Sequence, residues 1–128
     1  MTFLDLHGAR AHVGGVLEAL DGVRVYSEGV PERVEPPCVV LTEDTPWVER
    51  GATYGEWDVR WSVLVLTPQV ADNAAQVAAL DQVVDDVLGA LAAAGHLTVV
   101  TEVTALTHAG AAYLGARITH THTLLTER

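Results

Sequence analysis

The chain has 128 residues, 49% of them apolar, which predicts one compact domain over residues 1–128 with a substantial core and excludes disorder. Acidic residues outnumber basic ones 17 to 7, a formal charge of −10, which excludes a domain that grips nucleic acid through clustered Lys and Arg. Like-charge repulsion still lets DNA pass close by without sticking. No apolar run approaches the ~18 residues of a bilayer-spanning helix, so no membrane partner is expected. The opening MTFLDLHGAR has neither a basic segment nor a long apolar one, and one cysteine cannot form an intrachain disulfide, so a soluble, reducing compartment is expected.

Residues 3–20 read as a helix. Phe3, Leu6, Val13, Leu17 and Leu20 recur at three- and four-residue multiples and make one apolar stripe. Thr2 is placed as the N-cap and Asp21-Gly22 as the stop. Gly14-Gly15 weakens this helix by roughly 1 kcal/mol per glycine relative to alanine. The pair either admits another backbone or is tolerated slack. VRVYS (23–27) alternates as a short strand. A loop holding three of the five prolines follows, and Pro36-Pro37 leads into CVVLT (38–42), a buried strand with Cys38 as a small core residue.

EDTPWVERGATYGE (43–56) carries turn residues around Trp47 and Tyr54, and fits either a long loop or a protruding hairpin. EWDVRWSVLVL (56–66) is the clearest strand. Trp57, Val59, Trp61, Val63 and Val65 share one face; Asp58, Arg60 and a solvent-facing Ser62 share the other. Residues 72–95 form the strongest helix. Asp72 is its N-cap and Gly95 its stop; Val77, Leu80, Val84, Leu88 and Leu91 are its core stripe, and Gln76, Gln82, Asp85 and Asp86 are polar. Two strands, 96–106 and 111–125, close the chain through a turn at THAG. The order α-β-β-β-α-β-β implies an α+β domain: a mostly antiparallel sheet with two helices packed on one face.

Chemistry is thinly signalled. His120 and His122 in RITHTHTLLTER share one strand face and could supply two zinc ligands, with His96, His108 or a distant carboxylate as a third. Equally, histidine and threonine suit a half-exposed strand, and the apolar face that fades at these histidines suits a contact with a neighbouring subunit. Neither serine sits in Gly-x-Ser-x-Gly, and GAAYLGAR lacks the Lys-Ser/Thr and following helix of a phosphate-binding loop. Asp81, Asp85 and Asp86 make one helix side negative, a solvated face or a charged partner contact. Trp47, Arg50 and Tyr54 in the 43–56 segment are candidates for an interface. No catalytic residue, metal ligand set or cofactor is assigned, and the chain is read as a non-enzyme.

The chain resembles the tail terminator (tail completion) proteins of long-tailed bacteriophages. The resemblance rests on the N-terminal helix, on VRVYSEGVPERVEPPCVVLTEDTPWV with prolines before a strand, and on the long strand WDVRWSVLVL. The helix DNAAQVAALDQVVDDVLGAL and the closing hairpin complete it over nearly the whole chain. It implies a structural virion protein of the tail neck, assembled in the host cytoplasm. It further implies a homo-hexameric ring that caps the tail tube, stops its polymerisation and joins a head-completion protein, with DNA passing unbound through the lumen. Another neck component, or a small metal-dependent enzyme using His120 and His122, is the alternative.

Overall fold

A computed structural model gives the fold; it describes residues 4–68, 72–94, 97–108 and 111–126. The elements run α1 (Leu6–Glu18), β1 (Arg24–Tyr26), β2 (Cys38–Arg50), β3 (Glu56–Pro68), α2 (Asn73–Ala93), β4 (Leu97–His108) and β5 (Ala111–Leu125). The strands form one sheet in the order β1-β2-β3-β5-β4. Every neighbouring pair is antiparallel except β1 with β2, and both helices pack on one face, so the chain is an α+β fold with a mostly antiparallel sheet.

Helix α1 begins at Leu6, later than periodicity suggests, because Asp5 caps it by accepting the Gly8 N–H at 3.0 Å. Thr2 and Phe3 lie outside the described residues, as do Gly95 and the Gly110 end of the closing turn. The two glycines of α1 divide their roles. Ser27 lies against Gly14 so closely that an added Cβ would meet its Cβ at 3.0 Å, whereas beside Gly15 there is open space. One glycine admits a neighbour and the other is slack.

The 43–56 segment is a hairpin, and it does not protrude. β2 continues to Arg50, and β5 flanks β3 down to the Glu56–Leu125 rung. The register of β2 shifts between Glu43–Trp61 and Val48–Val59, so residues 44–47 bulge out opposite Arg60. Pro46 sits in this bulge. It lacks a backbone N–H and blunts the part of β2 that β1 does not reach.

The helix-covered face holds the main core: Ala9, Val13 and Leu17 of α1, Leu80, Val83, Val87 and Leu91 of α2, and sheet residues including Leu41, Val59, Trp61, Val63 and Ile118. The opposite face has two parts. Toward the Pro68 end, Val34 from the β1–β2 loop covers Cys38, Val40 and Leu66. Toward the hairpin end that face is polar, tied by Thr119 to Asp44 (3.1 Å), Thr123 to Asp58 (3.0 Å) and Arg60 to Glu49 (2.6 Å). Ser62 is on this face but is buried rather than solvent-facing, because Arg117 lies beside it and donates to its hydroxyl at 2.9 Å.

Burial pushes the Cys38 thiol up to about 11, partly offset by Arg24. A raised thiol pKa contributes stability that is fully present below the unfolded value of 9.0 and is lost as pH rises through the folded value. Native protein is therefore expected to react with iodoacetamide far more slowly at pH 8 than the urea-unfolded chain. Its urea midpoint is expected to fall between pH 9 and 11 by less in Cys38→Val than in the parent chain.

Candidate interaction surface

His120 pairs across the sheet with Trp61, and His122 with Val59, which puts both on the helix-covered face. His120 is fully buried and His122 is 6% exposed. The indole N–H of Trp61 donates to Nε2 of His122 at 2.9 Å, and the two histidine rings lie 6.0 Å apart. These residues therefore face the chain's own core, not a neighbouring subunit. The physical reason is Trp61. A buried indole N–H needs an acceptor, and the strand beside it supplies a histidine nitrogen where an aliphatic residue would leave the donor orphaned. That nitrogen carries a lone pair already engaged, so it is not open to a metal. Among the described residues no group of three His, Cys, Asp or Glu converges as a metal site.

Trp47 is also turned inward. The bulge sets its ring edge-on to Trp61, with centroids 5.8 Å apart and planes at 69°, and its Nε1 is buried with no acceptor among the described residues. Arg10 of α1 lies over the other part of this cluster, 4.9 Å from the Trp61 ring centre, and is paired with Glu43. The Glu43 carboxyl is held below its usual range by its own backbone N–H and then by Arg10. Nothing in the spacing of Arg10 and Trp61 signals this contact, because 51 positions and two elements separate them.

Arg50 and Tyr54 stay at the surface. They meet at the hairpin end with a residue the sequence assigned to the core, Trp57. The Arg50 guanidinium lies 5.4 Å from the Trp57 ring centre and 5.8 Å from that of Tyr54, held between the two. Tyr54 is 93% exposed. The turn is fixed from both sides: Gly51 N–H donates to Glu56 O at 2.9 Å, and Gly55 adopts φ +86°, a left-handed conformation that favours glycine. The chain end returns to brace it. Thr126 donates its N–H to Gly55 O at 2.7 Å and accepts the Trp57 indole N–H at 2.9 Å. A groove of about 370 Å³ runs between these rings, Leu125 and Thr126. The clue available in the sequence is the Gly51/Gly55 bracket, which makes Arg50 and Trp57 cross-strand neighbours once a hairpin is recognised.

Comparison with family models and with curated proteins finds no match to this chain.

The third surface is the outer side of α2. Asp81, Asp85 and Asp86 are exposed, with Gln82 donating to Asp86 at 3.0 Å. Val77, expected in the core, is 51% exposed, while Gln76, expected outside, is buried. The helix is turned so that Gln76, Leu80, Val83, Val87 and Leu91 face the sheet. Val84 and Leu88 are half-buried at the margin and border a shallow groove with Asp81 and Asp85. No helix among the described residues is long and apolar enough to cross a membrane.

Proposed function

We propose that this chain is a tail terminator of a long-tailed bacteriophage, a ring subunit that caps the tail tube and joins it to the neck. The observation that carries this reading is architectural. The element order on which the resemblance rests, a helix, a proline-led strand, a long strand, a second helix and a closing hairpin, is the order in which the chain folds. The surface chemistry suits such a role. Exposed aromatic and arginine side chains gather at one end of the sheet, where subunit or tube contacts form readily. An excess of acid on a ring subunit lets DNA slide through a lumen without binding.

In this role the protein acts as a homo-hexamer against the tail tube protein and a head-completion protein, in the neck of the virion, without a cofactor. The metal-enzyme alternative is disfavoured by the Trp61–His122 hydrogen bond, which occupies a nitrogen that such a site would need.

Deletion from the phage genome tests the proposal. The expected particles are overlong tails and DNA-filled heads that fail to join. Tails of normal length beside unsealed, leaking heads would assign the chain to head completion instead. Infectious virions of normal tail length would overturn the neck assignment altogether.

A further inference from the structure

We infer that the hairpin end of one copy docks on the outer side of α2 of the next, with Arg50 set against Asp81 and Asp85. The contact deepens the proposed ring and rests on that reading only for the closure of the ring.

The hairpin patch combines tryptophan, tyrosine and arginine, the three side chains most enriched where binding energy concentrates. Arg50 is the informative one. All seven basic residues of this chain are arginines, and Arg10, Arg24 and Arg60 are each paired with one of its own glutamates. Arg50 has no ion pair among the described residues. Its guanidinium lies 5.4 Å and 5.8 Å from two ring centres, contacts that favour a placed planar fork before any carboxylate arrives. Ordering in advance lowers the entropy lost on binding.

The complementary surface is on the same molecule. Asp81 and Asp85 form neither an ion pair nor a side-chain hydrogen bond among the described residues, and they flank a groove that ends in half-buried Val84 and Leu88 beside exposed Val77. A groove with an apolar floor and two free carboxylates matches an aromatic tip with one free guanidinium in both character and sign. A second copy is the occupant that local complementarity selects, since the chain carries both halves of the match. Two copies of charge −10 repel overall, so it is the pairing of Arg50 with Asp81 and Asp85 that brings these two faces together.

The two surfaces also lie apart. The tip is at the Glu56–Leu125 end of the sheet, and α2 lies on the helix layer, entered from the Pro68 end. A contact between different patches is head-to-tail, so it builds a closed ring or an open chain rather than a two-fold dimer.

Charge reversal in trans tests this. Arg50→Glu and, separately, Asp81→Arg/Asp85→Arg are expected to weaken self-association of the full chain by about tenfold or more in sedimentation equilibrium. Mixing the two variants is expected to restore it, because each reversed surface then meets its complement, and in alternation every contact is satisfied. Tyr54→Ala, at a 93% exposed position, is expected to weaken association without altering the circular dichroism spectrum. A parent chain that stays monomeric at about 1 mM overturns the contact. So does reversal without effect, or a mixture that fails to recover. These outcomes are separate from the deletion phenotype: a monomer removes this contact and leaves the tail-terminator reading to the phage particles, whereas infectious deletion phage remove that reading and leave the contact standing.

Discussion

Trp61→Ala is expected to remove roughly 3–5 kcal/mol of stability, the largest loss at any single position of the core. Trp61 is fully buried and is the largest of the buried side chains. Its ring meets Trp47 edge-on, lies under the Arg10 guanidinium and donates its N–H to His122. Truncation therefore opens a cavity that three neighbours on different elements cannot all close, and it leaves His122 Nε2 buried without its donor. Against a typical domain stability of about 5–15 kcal/mol, this is at least a fifth of the total. Two milder changes separate the causes. Trp61→Phe keeps most of the volume and removes the donor to His122 Nε2, at a cost of about 1–3 kcal/mol plus the lost ring area. Trp61→Phe combined with His122→Leu removes both polar partners and is expected to recover part of that cost. Urea unfolding of these three variants and of His122→Leu alone checks this. A double variant that loses as much stability as its two single changes summed, or more, would mean that the hydrogen bond does not couple them.

The same cluster shows where a linear reading stops. The strand at 56–66 and its inward face were legible because strict alternation fixes which side chains share a face, and Val59, Trp61, Val63 and Val65 are all fully buried as that predicts. Asp72 as a cap was legible because capping is local: its carboxylate accepts the Ala74 N–H at 3.0 Å. The burial of His120 and His122 was not. A histidine in a half-polar strand looks like a surface residue until a tryptophan on the neighbouring strand, 61 positions from His122, is known to need an acceptor there. Trp47 likewise looks like an exposed loop aromatic. It becomes a core-facing ring only because the bulge at residues 44–47 turns it toward Trp61. Of the expected surface residues, Arg50, Tyr54, Asp85 and Asp86 remain at the surface, since exposure there follows from turn and helix chemistry that the sequence carries locally.

Leu91→Ala is expected to cost roughly 2–5 kcal/mol and Val77→Ala less than about 0.5 kcal/mol, although both belong to the stripe that periodicity assigns to the core. The difference follows from how α2 is turned. The expected stripe (77, 80, 84, 88, 91) and the buried one (76, 80, 83, 87, 91) share Leu80 and Leu91 and diverge between them by one position. The expected stripe is the more apolar of the two, with Val77 and Leu88 where the buried one has Gln76 and Val87, so apolar content alone does not choose the buried face. Packing on β3 and β5, with α1 alongside, does choose, and it leaves Leu91 fully buried and Val77 51% exposed. Gln76 is the consequence, since the favoured turn buries a polar side chain in order to bring Val83 and Val87 inward. Val83→Ala and Val84→Ala make the sharpest pair, because they are neighbours of one chemistry that differ in burial. Thermal or urea unfolding is expected to show Val83→Ala as the more damaging. Equal losses, or a larger one at Val84, would mean that α2 sits on the sheet in the other rotation. Val77 would then be withdrawn into the core, and the groove beside Asp81 and Asp85 would lose its apolar floor.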